Sequence, residues 1–238
     1  MTGGVVVGFP HNGSTHALFA TSLAGLVEFE LRKPSPHYTY IACSAMGSCH
    51  IVSNRNRLVS KMGEAEWLLQ LDTDLEFKPD LLRVMMDEAR AVGAKVMLGL
   101  YLNTRAINEG ANAGFYEPIP MLHSWTATGD GLYAGGFKTL PEIPPGQTFK
   151  VDGGGAGLLL VHREVFQAIG KNYEGRRWRH FAWQDLPDGD EMGEDLVFCR
   201  RAVEAGYEVW ATTKVLARHW KSLPVTVPEW WQGRPLGE

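Results

Sequence analysis

The chain has 238 residues, 45% of them hydrophobic and 21% charged, with a formal net charge of −4 and a pI near 6.1. This is enough apolar material for a substantial core and too little positive charge for a global pull toward nucleic acid or anionic membrane, so only a local basic patch could provide one. Cys43, Cys49 and Cys199, odd in number and without CxxC spacing, point away from a disulfide framework and from a zinc ribbon.

No apolar run reaches about 18 residues, and the first nine residues lack the basic start and apolar core of a signal peptide. The expectation is a cytoplasmic protein with no membrane partner.

Val5-Val6-Val7-Gly8-Phe9 reads as a buried first strand ending at Pro10-His11-Asn12-Gly13, with Ser14 or Thr15 placed to cap a helix. That helix carries Leu18, Phe19, Ser22, Leu23, Leu26 and Val27 on one face and stops before Pro34. His11 and Asn12 fall where strand meets helix, within reach of a nucleotide in a Rossmann-like crevice and equally compatible with a plain turn.

Residues 38–42 form a second strand pattern, and 51–62 a helix with Leu58, Val59 and Met62 inward. Arg55 and Arg57 lie near its start, where cations oppose the helix dipole. A diphosphate or nucleobase nearby would explain them; so would a solvated surface pair.

Trp67-Leu68-Leu69-Gln70-Leu71 is a short apolar strand that breaks off into Asp72-Thr73-Asp74, and Pro79 opens a helix running to residue 92. In an open α/β sheet ligands bind beyond the carboxyl ends of the strands. Two carboxylates there suit a divalent metal bound against a nucleoside diphosphate. The tripeptide alone is weak, since about one is expected by chance in a chain this long, and Asp188-Gly189-Asp190 repeats it. Its place between strand and helix is what distinguishes it, and a turn is the plain alternative.

With a fourth strand at 96–101, the β/α alternation of the first hundred residues predicts an α/β, Rossmann-like domain, its mostly parallel central sheet flanked by helices. Periodicity is lost over 103–148, which reads as short strands and a long loop bordering the pocket, with Tyr116, His123, Trp125 and Tyr133 scattered through it. No composition break marks a domain boundary.

Gly153-Gly154-Gly155-Ala156-Gly157 removes side chains and permits close approach of a ligand or of another strand, without the spacing of a dinucleotide or phosphate loop. It leads into a strand at 158–161 and a short helix at 163–169. The cluster from Arg176 to Trp183 suits phosphates and stacked bases, or a solvated surface with aromatic anchors. Glu194-Asp195 opens a helix that stops at Gly206; its first-turn acids are favoured by the dipole and are also able to supply a general base. Residues 207–211 and 214–220 read as two further strands, with His219 near the end. Residues 222–238, with Trp230-Trp231, read as a tail packed on the body or an acceptor-stacking element.

In this order the parts resemble the GT-A glycosyltransferases, particularly short soluble, family-two-like, phage-type members. The matching pieces are the strand ending in Phe9-Pro10, the Arg55-Asn56 helix, the apolar strand with Asp72-Thr73-Asp74, and Gly153-Gly154-Gly155 leading through Leu158 to Arg163. Gly193-Glu194-Asp195-Leu196 with Arg200 and Gly206, and then His219, complete the set. The resemblance implies one GT-A domain over 1–238, with a nucleotide-sugar-binding half at 1–102 and an acceptor-side half at 103–238. It implies a hexosyl- or pentosyltransferase acting on a nucleoside-diphosphate sugar, UDP-sugar first, and an acceptor hydroxyl.

By the same resemblance Pro10, His11, Asn12, Arg55, Asp72, Gly154 and Gly155 would bind the donor, and Asp72, Asp74 and His219 would hold Mn²⁺ or Mg²⁺. Asp195, with Glu194 behind it, would be the base of an inverting transfer. The region from Gly193 to His219 also resembles retaining, manganese-dependent polypeptide sugar transferases, so stereochemistry stays open with inversion preferred. Phage-type members imply a host-cytoplasm location and a hydroxymethylated base in DNA as acceptor, which the Arg176 to Trp183 cluster would hold. The chain departs from processive synthases in having no Gln-x-x-Arg-Trp motif. Rival readings of the same carboxylates are a metal-dependent phosphohydrolase or nuclease and a non-catalytic nucleotide- or glycan-binding module.

Overall fold

The structure, a computed structural model, describes residues 3–107, 116–186 and 189–221. Asp188, part of the 103–148 loop and the tail with Trp230-Trp231 lie outside the described residues. Strand β1 (Gly3–His11) buries Val5 and Val7 fully. Helix α1 (Ala17–Arg32) is capped by the His16 ring, which accepts from Leu18 N at 3.3 Å; the expected caps Ser14 and Thr15 lie just outside it. Then come β2 (Tyr38–Gly47) and α2 (Ile51–Ser60), the latter capped by His50.

Next are β3 (Trp67–Leu71), buried at all five positions, the short β4 (Leu75–Glu76), α3 (Leu81–Val92) and β5 (Val96–Ala106). α3 ends at Gly93, whose φ of 72° is the left-handed cap that glycine adopts without a Cβ penalty. The chain then makes short antiparallel excursions through β6 (Tyr116–Pro120), β7 (Leu122–Ala127), β8 (Gly135–Thr139), β9 (Thr148–Val151) and β10 (Gly153–Gly154), as the lost periodicity predicts. β11 (Leu158–His162), α4 (Arg163–Asn172), the ribbon of β12 (Gln184–Asp185) and β13 (Glu191–Met192), α5 (Glu194–Glu204) and β14 (Val209–His219) complete it.

The central sheet runs β2-β1-β3-β11-β5-β14-β4. β1 is parallel to β2 and β3, and β14 to β5, but β11 is antiparallel to both of its neighbours. The sheet is therefore mixed, which corrects the expectation of a mostly parallel one. Among the described residues no helix lies between β5 and β11. β11 begins at Leu158, opposite Leu71 at the end of β3, so it enters from that end of the sheet and must run backwards. Strands from before and after residue 102 interleave in this one sheet.

The two strands expected at 207–211 and 214–220 are a single β14 with an irregularity between Thr212 and Leu216. Beyond it, Arg218 and His219 pair with Glu76 and Leu75 of β4, which carries His219 over the turn after β3. Apolar layers close both faces of the sheet, with Phe19, Leu26 and Met85 from α1 and α3 on one side. Leu58, Phe166 and Phe198 from α2, α4 and α5 close the other. No helix among the described residues is long and apolar enough to cross a membrane.

Candidate functional site

A cavity of about 780 Å³ opens where β1, β3 and β5 run out, and it gathers residues expected from sequence: Pro10, His11, Asn12, Arg55, Asp72, Asp74, Glu194, Asp195 and His219. Gly154 and Gly155 are not among its lining residues. A Cβ on Gly155 would stand 1.9 Å from the Tyr101 hydroxyl, and one on Gly154 2.5 Å from Met121 O. These glycines are bare because neighbouring strands crowd them, which is the second of the two uses the sequence allows. The Tyr101 hydroxyl in turn accepts from Gly157 N at 3.2 Å, and its ring meets His219 edge-on at 5.3 Å.

Arg55 is buried and forms the knot of one wall. Nη2 donates to Asp72 Oδ1 at 2.8 Å, Nε to Glu194 Oε1 at 3.3 Å, and Nη1 to Gln70 Oε1 at 3.3 Å and Ala156 O at 2.9 Å. A planar fork with five donors suits such a junction. Burial opposes its charge, but Asp72, Glu194 and Asp195 together hold the guanidinium protonated. Arg55 is thus neither a solvated surface residue nor a free phosphate ligand. It fixes the first acid of Asp72-Thr73-Asp74 against the first acid of α5.

α5 follows its N-cap Gly193, and the Asp195 carboxylate accepts from Leu196 N at 2.8 Å. Burial and then the Glu194 charge push the Asp195 carboxyl up to about 6, against the pull of Arg55 and the Leu196 amide. A carboxyl poised there is ionised at neutral pH yet basic enough to take a proton.

The second acid, Asp74, has different company. His219 Nε2 lies 3.1 Å and Lys221 Nζ 2.9 Å from its Oδ2, and Trp220 N donates to the Asp74 carbonyl at 2.8 Å. Burial alone would raise the Asp74 carboxyl, but the His219 and Lys221 donors outweigh it and hold it near 2. His219 Nδ1 is 2.9 Å from Leu102 O, which can only accept, so Nδ1 carries hydrogen. Nε2 is then the ring nitrogen that faces Asp74. Asp72 and Asp74 therefore divide, one toward Arg55 and one toward His219.

Among the described residues no three His, Cys, Asp or Glu side chains converge as a ready-made metal cage. Lys221 was not legible as part of this site, because the chain reads as a tail just beyond it. The available signal was its spacing of two from His219, which extended backbone turns to one side.

The Arg176 to Trp183 segment is anchored from within. Phe181 stacks on Phe198 with centroids 4.7 Å apart, and Arg201 donates to the carbonyls of Trp178 and Arg179. Arg176, Arg177 and Arg179 remain exposed.

No protein-family model matches the chain, and no curated protein matches it. Solved structures do match in fold. A197 from STIV, a viral protein, superposes with a TM-score of 0.50 at 18% identity, covering 92% of this chain and 86% of that one. GalNAc-T7, a GT-A-fold glycosyltransferase solved with UDP, GalNAc and Mn²⁺, gives a TM-score of 0.57 at 11% identity, covering 92% of this chain. The chain spans 44% of the length of that second protein. Identities this low show the fold alone: an α/β domain with a mixed central sheet flanked by helices.

Proposed function

We propose that the cleft binds a nucleoside-diphosphate sugar, UDP-sugar first, and transfers the sugar to an acceptor hydroxyl. The observation that carries this reading is the meeting of Asp74 with His219, 145 residues apart, in the same cavity as Asp195. The fold likeness to GalNAc-T7, solved with UDP, GalNAc and Mn²⁺, supports the donor class.

Asp74 Oδ2 and His219 Nε2 suit a Mn²⁺ or Mg²⁺ ion, and the Leu102 carbonyl orients the ring as second ligands of metal-binding histidines do. Such ions are commonly held by one or two carboxylates with substrate phosphates completing the shell. The lack of a three-residue His, Cys, Asp or Glu cage among the described residues is therefore no obstacle, with Asp72 contributing from its Arg55-fixed position. When bound, the ion supplies Lewis-acid stabilisation of the leaving diphosphate.

The protein's own residues do the rest in this reading. Pro10, His11 and Asn12 line the donor's side of the cleft, Arg55 holds Asp72 and Glu194 rigid, and Asp195 takes the acceptor proton. Inversion is the preferred outcome in this reading, with Asp195 as the base. The exposed arginines at 176, 177 and 179 keep an anionic acceptor, a hydroxymethylated DNA base, within the proposal. The halves 1–102 and 103–238 both contribute to one cleft and act as a unit. A two-metal phosphohydrolase would want more carboxylates converging than the described residues bring together.

The test is thermal melting with UDP, GDP, ADP and dTDP, each with and without Mn²⁺. Saturation at about 100 times Kd stabilises by roughly 2.7 kcal/mol, so metal-dependent nucleotide stabilisation is expected, and indifference to all four would falsify the donor assignment. Asp74→Ala is expected to abolish release of nucleoside diphosphate from a sugar donor; retained turnover would remove Asp74 from the site.

A further inference from the structure

Lys221 rests on the donor-binding reading above and extends it. Its Nζ approaches Asp74 Oδ2 at 2.9 Å, the same oxygen that His219 Nε2 meets at 3.1 Å. The backbone beside it is pinned: Trp220 N donates to Asp74 O, Trp220 Nε1 donates to Glu76 Oε2 at 3.0 Å, and the indole stacks on His16. The lysine side chain, 35% exposed, lines the cleft and is joined to Asp74 by its terminal ammonium.

Carboxylate and imidazole ligands stand about 2.1 Å from a divalent cation. An ammonium 2.9 Å from that carboxylate oxygen occupies the approach to it, and like charges so close repel strongly. Metal binding at Oδ2 beside His219 therefore requires the ammonium to leave, and the ammonium needs another anion to go to. The diphosphate of the donor is such an anion. A compact charge with rotatable donors on a flexible stem can make that exchange more readily than a guanidinium fork.

We propose that Lys221 is a positioning residue that couples metal binding to diphosphate binding: it neutralises Asp74 in the free protein and moves to the diphosphate when the cation takes the carboxylate. Metal alone then binds weakly, and a nucleoside diphosphate raises metal affinity by more than its own ligation accounts for. By linkage the metal raises nucleotide affinity by the same factor.

The experiment titrates Mn²⁺ into wild type, Lys221→Met and Lys221→Gln, followed by electron paramagnetic resonance, with and without saturating UDP, GDP or ADP. Both variants are expected to bind Mn²⁺ alone about tenfold tighter than wild type, and the nucleotide's enhancement of Mn²⁺ affinity is expected to shrink about tenfold. A lysine that only braces the fold would give the opposite sign, weaker Mn²⁺ binding in both states. Unchanged or weakened Mn²⁺ affinity in the variant that melts like wild type overturns the inference. If wild type binds Mn²⁺ and nucleotide together and the variants match it, this inference alone falls. If no form binds Mn²⁺ under either condition, the metal reading falls and takes this inference with it.

Discussion

The Asp195 carboxyl is held where folding alone would not keep a charge. Burial and Glu194 raise it to about 6, and Arg55 with the Leu196 amide offsets only part of that. Because the folded value lies above the unfolded one, this group's stabilising contribution is full below the unfolded value near 4 and is lost as pH rises through about 6. At pH 7 the ionised form costs on the order of 3 kcal/mol. Asp195→Asn keeps an oxygen for the Leu196 amide and removes the charge. It is expected to melt higher than wild type at pH 7, to lose that advantage toward pH 4, and to transfer no sugar. Melting curves from pH 4 to 7.5 beside an assay for diphosphate release check this, and a variant less stable than wild type at pH 7 counts against it. The acid pair at 194 and 195 was legible in sequence, but its partner was not. Arg55 signalled itself only as a cation in the wrong turn of a helix. Its answer, carboxylates just after β3 and at the start of α5, is 17 residues away in one case and 139 in the other.

Elements begin and end here by means that local rules only partly anticipate. Three helices start under a histidine: His16, His50 and His162 accept from Leu18 N, Ser53 N and Glu164 N. Serine and threonine are the commoner caps, which is why the start of α1 is displaced from Ser14 and Thr15. The link from β10 to β11 shows the same dependence on neighbours. Four glycines in five positions allow either a ligand or a strand to approach, and only the packed Tyr101 decides between them. Gly155→Ala would drive a methyl group into the Tyr101 hydroxyl, and Tyr101 supports His219 from the side. The expected outcome is a loss of about 2 kcal/mol in denaturant unfolding, typical of overpacking, together with weaker Mn²⁺-dependent binding of nucleoside diphosphate. Wild-type stability in the alanine variant would mean that the link has room to spare.

Across the whole molecule, the β/α alternation up to β5 was readable because each strand and helix there buries a face with its own period. The reversal of β11 was not, since direction depends on where the preceding excursion leaves the chain. The distribution of histidines is a further property of the assembled fold. Burial lowers His123, His162 and His180, the last to about 4, and His180 Nε2 donates to Phe166 O at 3.0 Å. A histidine depressed in the folded state contributes stability that is present above its unfolded value near 6.5 and is lost as pH falls through its folded value. For His180 that window runs from about 6.5 to about 4. Asp195 acts in the opposite sense over part of this range, so the difference between wild type and a His180 variant isolates the histidine. The histidine contribution makes the melting temperature fall between pH 6.5 and about 4.5. His180→Gln, which keeps an amide donor for the Phe166 carbonyl and cannot acquire a charge, should reduce the fall by an amount on the order of 2 kcal/mol. Equal slopes for the two proteins across that interval would show that His180 is protonated alike in the folded and unfolded chain, and the acid sensitivity would have to be sought elsewhere.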